Sequence, residues 1–449
     1  MNDTAPSDIR TVALLGHQGC GKTSLTEAIL LLTGVTHILG SVNEKTSLLD
    51  YEPEEQDRGG SLNAAVATCA FDGRRIHVVD TPGDGSFIHE ARWLLKNVDS
   101  AVLVISAVDG VEVETERTWR FATEAGLPRM IFMNKMDRER ANPEKVLKEI
   151  EEVLGVKPVP VQVPIGRESD FKGVVDLLTN EARFFKGDQS GAVDKGPVPD
   201  DLADEVEAAF ETLTEAAAEG DDELLEKYLD TLELTQEEVF KGLGESLREG
   251  RVVPVLFGVA SENKGITELL DFTKALPSAK DRPGREDDAG DVIAGDPDAP
   301  FVGRVIKSII DPYAGMVSVI RVLRGSLGTD AEVKNTTQES TERLGHLHWL
   351  VGKKLFDANS ATVGDLVAVA KLKATRTGDT RGGAKADEVL LPGFVIPPPM
   401  SIFIVKPATR RDEDRMRDAL AKISTEDPAF VIGQDGLTKE NTVSGQSQS

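Results

Sequence analysis

Short apolar runs alternate with segments of helical spacing through the first 150 residues. Residues 11–15 read as an apolar strand, 23–32 as a helix and 75–79 as a second strand. Residues 87–97 are helical in spacing, 101–107 form a buried strand, 115–125 a helix and 129–133 a further strand. Strands alternating with helices predict an α/β fold with a mostly parallel sheet covered on both faces. Between about 157 and 251 the pattern breaks. The stretch PVPVQVPIG is strand-like and Pro-rich, a Gly- and Asp-containing loop follows at 186–195, and an acidic helical run covers 200–219 with more helix to 247. The sheet pattern resumes at 252–257, and a helix starts at Ile266. A structureless loop of that length is implausible, so the middle piece reads as an inserted subdomain.

Farther on, DRPGREDDAGDVIAGDPDAP (281–300) has the Gly, Pro and acidic content of a linker. The runs VGRVIKSII, MVSVIRVL and DLVAVA predict a small β-barrel within 301–395. From 396, a strand (SIFIVKP) leads into a charged helix at 411–423 and a polar tail, GQDGLTKENTVSGQSQS. The expected division is therefore 1–280 with its insertion, a linker at 281–300, a barrel at 301–395 and a partial α/β domain at 396–449. No solenoid repeat is present in the sequence.

Composition narrows the function class. The 449 residues are 40% hydrophobic and 29% charged, which excludes wholesale disorder. A net charge of −26 argues against coating DNA or RNA through phosphate neutralisation. It leaves room for docking on a large assembly through local basic patches. Two cysteines, Cys20 and Cys69, make no disulfide framework. The start, MNDTAPSDIR, lacks signal-peptide character, and the apolar runs fall short of the roughly 18 residues a membrane span needs. A cytoplasmic protein with no membrane partner is expected.

Three motifs carry the chemistry. Gly16-His17-Gln18-Gly19-Cys20-Gly21-Lys22-Thr23, followed by Ser24, matches GxxxxGK[ST] between a strand and a helix. Its glycines let backbone N–H groups converge on phosphate, Lys22 can reach the β- and γ-phosphates, and the Thr23 hydroxyl can ligate Mg²⁺. Asp80-Thr81-Pro82-Gly83 follows the strand RIHVV. Asp80 can serve the Mg²⁺ shell and the Gly83 N–H the γ-phosphate, although the tetrapeptide alone is also a common turn. Asn134-Lys135-Met136-Asp137 follows RMIFM. Asp137 can accept hydrogen bonds from the guanine N1–H and exocyclic amine, a pair that adenine does not offer. Lys135 can lie over the base, and Asn134 can brace the phosphate loop.

With these motifs in this order, the chain resembles the translational GTPases, and the elongation factor G family in particular. The segments GHQGCGKTS, EQDRGGSL, DTPGDGSF, NKMDRERANPEKV, PVLFGVASENKGITELLD, DPYAGMVSVIRVLRGSL, ATVGDLVAVAKLKATRTGDT and KISTEDPAF carry the likeness along nearly the whole chain. The resemblance implies a GTP/GDP- and Mg²⁺-binding domain with an insertion, a β-barrel, and the start of a third domain. It implies a monomer acting on the ribosome, with ribosomal RNA and stalk proteins as partners. By position, Ser61 stands where the family has a Mg²⁺-binding threonine. Val259-Ala260-Ser261 aligns with the last guanine motif, where a backbone N–H meets the base.

Two departures bear on catalysis. Asp84 stands where the family has a water-orienting histidine after DTPG, and Gly19 where it has an aspartate. A carboxylate at 84 brings negative charge toward an anionic γ-phosphate, so slow hydrolysis is expected. Asp84, Lys22 and Gly83 are the candidate catalytic residues. The alternatives are a nucleotide-gated ribosome-binding protein with weak or no hydrolysis, or a ribosomal protection-type relative. His89 is expected to be packed or exposed rather than a replacement for the histidine, and Cys20 to be a packing residue. The acidic run at 200–219 reads as a solvated face, with a stalk-protein docking surface as the other possibility. In the family the third domain continues and further domains follow. Residues near the C-terminus are therefore expected to pack loosely, and this chain alone is not expected to drive translocation.

Overall fold

The expected sheet is present in the computed structural model, which describes residues 4–383 and 389–446. Its strands are β1 (Ile9–Leu15), β2 (Ala65–Phe71), β3 (Arg74–Asp80), β4 (Ser100–Ser106), β5 (Arg129–Asn134) and β6 (Pro158–Pro160). After the inserted strands β7 (Gln162–Ile165), β8 (Gly173–Asp176), β9 (Glu181–Phe185) and β10 (Val193–Gly196), β11 (Val253–Phe257) returns to it. The order is β2-β3-β1-β4-β5-β11-β6. The pairs β1–β4, β4–β5, β5–β11 and β11–β6 are parallel. Every residue of β1 and β4 is buried, which is why both are dominated by apolar runs, Val12–Leu15 and Ala101–Ile105.

The chain divides into two compact units, one formed by Arg10–Asp84 and Val98–Pro277, the other by Met1–Ile9, Gly85–Asn97 and Ser278–Ser449. Within the first, two features depart from the expected pattern. An antiparallel strand, β2, pairs with β3 from Ala65 opposite Asp80 to Phe71 opposite Arg74. Asp72 and Gly73 make the turn, both with positive φ, as a two-residue hairpin of this twist requires. In addition, β6 belongs to the main sheet, so residues 158–160 are not part of the insertion.

The insertion is a four-stranded antiparallel sheet, β10-β9-β8-β7, and three helices, Ala203–Ala218, Asp222–Thr231 and Gln236–Glu249. Asp221 caps the second helix by accepting from the N–H groups of Glu223 and Leu224. Thr235 and Glu238 form a capping box on the third, and Gly250 closes it in the left-handed region. The first and third helices cross where Gly242 meets the Ala217 carbonyl, and the Ser246 hydroxyl donates to Ala216 O across the same contact at 3.1 Å.

In the second unit, Val302–Asp311 pairs antiparallel with Gly315–Arg324 on one edge and Thr380–Gly383 on the other. The sheet continues through Leu366–Ala370, Leu347–Val351 and Lys354–Ala358. One face covers a core with Val305, Ile320, Val322, Leu347, Trp349 and Val367 all buried, and Val302 and Leu323 join a second buried cluster with Ile293, Val389 and Leu391. The helix His89–Leu94 belongs to this unit. Its Glu90 accepts from Lys307 Nζ at 2.7 Å, and the Trp93 ring stacks on Phe394. Residues 396–446 form a three-stranded sheet, Ser401–Ile404, Asn441–Gly445 and Val431–Gln434, with the helix Glu413–Glu426. No residue of that helix is buried, and Ile402 is 68% exposed. Part of the polar tail therefore forms a strand, while its last three residues lie outside the described ones.

The helix crossing in the insertion gives a test that sets two effects against each other. Helix propensity alone makes Gly→Ala favourable by about 1 kcal/mol. A Cβ on Gly242 would lie 2.2 Å from Ala217 O, a backbone atom that cannot rotate away. Gly242→Ala is therefore expected to destabilise the insertion by about 1–3 kcal/mol. Hydrogen exchange of the helices Ala203–Ala218 and Gln236–Glu249 measures this, and slower exchange would show that propensity wins.

Candidate functional site

The carboxyl ends of β1, β3, β4, β5 and β11 open into a cavity of about 930 Å³ within the first unit. Gln18, Gly83, Asp109, Lys135 and Ser261, each from the segment after one of these strands, stand on its wall. Crevices at this end of an open α/β sheet are its usual ligand sites.

The loop after β1 leads into the helix Lys22–Leu32, whose N-cap is Gly21. Gly21 has φ +103°, and a Cβ there would lie 2.2 Å from Asn134 Nδ2, so only glycine fits. Lys22 Nζ donates to the carbonyls of Gly16 and His17, both at 2.9 Å. Gln18, Gly19, Gly21, Lys22, Thr23 and Ser24 line the cavity. Cys20 does not. It is fully buried, 3.8 Å from Lys22 Nζ, and burial pushes its thiol up, as expected of a packing residue. His17 is also buried, with Nδ1 3.0 Å from the Thr115 hydroxyl. Burial, with help from the Lys22 charge, lowers its ring to about 4, against a partial pull from Asp109.

The hydroxyls of Thr23 and Ser61 stand 3.3 Å apart, and Ser61 donates to Asp50 Oδ1 at 2.7 Å. Asp80 Oδ1 and Asp50 Oδ2 are buried and have no hydrogen-bond partner among the described residues. Burial first, and then the charge of Asp50, raise Asp80 to about 7, against the pull of Lys22 and Thr23. Two hydroxyls and two carboxylates with unused oxygens are a hard-oxygen donor set that fits Mg²⁺. A divalent cation among them would keep Asp80 ionised. Asp50 carries no sequence signal. It comes from the loop before the helix Pro53–Arg58 and meets Ser61 only in the fold.

Past β3, Thr81 anchors its turn by donating to Leu14 O at 2.6 Å. Thr81 and Pro82 are buried behind the wall, and Gly83 lines the cavity. Asp84 Oδ2 accepts from Arg58 Nη2 at 2.6 Å, which joins this turn to the Arg58–Ser61 segment. Glu55 holds the same segment by accepting from the N–H groups of Leu62 and Asn63. His89 falls in the other unit, its ring 5.9 Å from Trp93.

At the other end, Asn134 Nδ2 donates to Cys20 O and its Oδ1 accepts from Ala260 N, both at 2.9 Å. Lys135 has φ +63° and pairs with Asp109 at 3.2 Å. Met136 is buried beneath the loop. Asp137 Oδ1 is buried and without a hydrogen-bond partner among the described residues, while Oδ2 lies 3.6 Å from Arg138 Nε. Val259 N donates to Lys264 O, and Ala260 N is taken by Asn134, so Ser261 is the member of the VAS segment that lines the cavity. A spacing argument cannot tell which of three consecutive residues turns inward.

Residues 7–278 match the family described as Elongation factor Tu GTP binding domain, 300–381 match Elongation factor G domain 2, and 396–449 match Elongation Factor G, domain III. The chain is 37% identical to an elongation factor G of Thermotoga neapolitana and 36% identical to that of Thermotoga petrophila. In each case the match covers 98% of this chain and 64% of the relative. A crystal structure from Thermus thermophilus superposes with a TM-score of 0.88 at 31% identity, over 99% of this chain and 64% of that one. The chain thus spans 64% of the length of these curated relatives, just under two-thirds.

His17 makes stability depend on pH. Its ring sits at about 4 when folded, against an ordinary 6.5, so the unfolded chain takes up the proton first as pH falls. Its contribution is complete above 6.5 and is lost as pH falls toward 4. Between about pH 7.5 and 5.5 the loss is about 1 kcal/mol. Denaturant titrations at the two pH values are expected to show this loss in the wild type and its absence in His17→Gln. An equal loss in both would refute it.

Proposed function

The chain belongs to the elongation factor G family, and from that premise we propose that its first unit binds GTP with Mg²⁺ and hydrolyses it to GDP and phosphate on the ribosome during elongation. The observation that carries this reading is the convergence on one cavity of a phosphate end, Gln18 to Ser24, and a nucleoside end, Asn134, Lys135 and Ser261. The backbone N–H groups and Lys22 oppose phosphate charge in a desolvated setting, where such interactions are strong. Thr23, Ser61 and Asp80, with Asp50 beside them, would hold Mg²⁺, which when bound offsets charge on the phosphates. Asp137 Oδ1, buried with its acceptor capacity unused, suits the two donors on the guanine edge. Within the Val259-Ala260-Ser261 motif, the backbone contact to the base falls to the Ser261 end, which borders the cavity.

Asp84 is the residue that sets the rate in this reading. Its carboxylate is engaged by Arg58, and it follows Gly83, which lines the cavity, while Asp84 itself is not on the wall. That arrangement favours slow hydrolysis and lends weight to a second reading, a nucleotide-gated ribosome-docking module with weak turnover. A ribosome partner with its RNA and stalk proteins, a monomeric state, and a cytoplasmic location follow from the family premise and belong to the same proposal.

Phosphate release from GTP and from ATP, with and without ribosomes, tests the enzyme reading. Ribosome-stimulated turnover of GTP alone is expected, and tight GTP binding without multiple turnover would favour the docking module. Asp84→His is expected to raise ribosome-stimulated turnover about tenfold or more, because an imidazole can orient water without adding negative charge. Equal turnover of the two forms would remove Asp84 from the account.

A further inference from the structure

We infer that Gln189, which the inserted subdomain carries, contacts the nucleoside part of the bound guanine nucleotide and contributes to its affinity. This rests on the nucleotide reading above and extends it to a residue outside the nucleotide motifs. Gln189 lies on the wall of the cavity with Lys135, Arg138 and Ser261, although it belongs to the loop between β9 and β10. That loop is closed on itself: Lys186 N donates to Ala192 O, Ser190 N to Asp188 Oδ1, and Ala192 N to Ser190 Oγ.

Two side chains from the segment after β11 tie it down. Asn263 Nδ2 donates to Gln189 O at 2.9 Å, and the Thr267 hydroxyl donates to Gly191 O at 2.8 Å. Asn263 is 1% exposed and stands two residues past Ser261, so the loop is fixed to the wall that faces the nucleoside. Gln189 itself has φ +58°, a left-handed conformation unusual for a side chain of its kind. The backbone carbonyl is turned to Asn263 and the residue borders the cavity, which is the placement a ligand contact needs. A neutral carboxamide has a donor and an acceptor and no charge, so it suits the hydroxyls and heteroatoms of a nucleoside rather than a phosphate. One such hydrogen bond is worth a modest factor, about 3- to 10-fold in affinity.

The test is calorimetric binding of GDP and GTP, with Mg²⁺, to the full chain, to Gln189→Ala and to Gln189→Gly. The glycine variant removes the side chain while relieving the positive φ, so it separates lost contact from lost stability. Both variants are expected to bind GDP and GTP about 3- to 10-fold more weakly, by the same factor for each nucleotide, with the glycine variant melting no lower than wild type without nucleotide. Wild-type affinity in either variant, or a loss confined to GTP, would overturn the inference. Failure of the wild-type chain to bind either nucleotide would instead overturn the reading on which it rests.

Discussion

The amide of Asn134 joins three loops of the site that are far apart in sequence. Its Nδ2 donates to the phosphate loop at Cys20 O, and its Oδ1 accepts from Ala260 after the last strand. It stands at the end of β5, which has a parallel neighbour on each side, so both partners are tied to the interior of the sheet. The contact is also what excludes any side chain at Gly21, since a Cβ there would collide with the same amide. A buried amide with both ends satisfied fixes geometry in a way that an apolar contact of equal area cannot, because losing either bond strands a polar group away from water. This side chain bridges the phosphate and nucleoside ends of the cavity directly.

Charges of both signs meet at the site. In a molecule of net charge −26, the cavity wall sets Lys22, Lys135 and Arg138 beside Glu44, Asp50, Asp109 and Glu139. Against them stand carboxylates that burial disfavours: Asp80, Asp50, Glu27 and Glu55 all lie above their ordinary range, with desolvation the largest cause in each. Glu27 and Glu55 hold backbone and hydroxyl donors of the loops that cover the cavity. Asp80 Oδ1, Asp50 Oδ2 and Glu27 Oε2 keep capacity that no described residue satisfies. Asp50 and Asp80, grouped with the Thr23 and Ser61 hydroxyls, have the chemistry of a cation site.

The sequence made legible whatever depends on local backbone chemistry. The glycine-rich loop, the strand before it and the helix after it are one continuous segment, and apolar runs in buried parallel strands need no tertiary information to be seen. The hairpin partner β2 escaped notice because Ala65–Phe71 is only weakly apolar, although the Asp72-Gly73 turn was a usable signal. Asp50 and Gln189 were not legible because each reaches the cavity through a loop whose path is decided by contacts with Ser61 and Asn263 respectively, whereas Ser261 belongs to the aligned motif and only its inward turn needs the fold. Asp84 was visible as an unusual residue, but its partner Arg58, 26 positions earlier, was not. Residues 396–446 have the exposed apolar strand faces expected of a sheet with one covering layer, as Ile402 and Phe403 show.

The central claim is that the Asn134–Asp137 end of the cavity reads guanine, and equilibrium binding of GDP, ADP and xanthosine diphosphate to the wild-type chain and to Asp137→Asn tests it most directly. The carboxylate matches the two donors of guanine, whereas an amide can donate to the C2 carbonyl of xanthine. The account predicts that the wild type prefers GDP over ADP by on the order of 10³-fold or more, and that the variant loses GDP and gains xanthosine diphosphate. Comparable affinity of the wild type for ADP and GDP, or an unchanged preference in the variant, would contradict it.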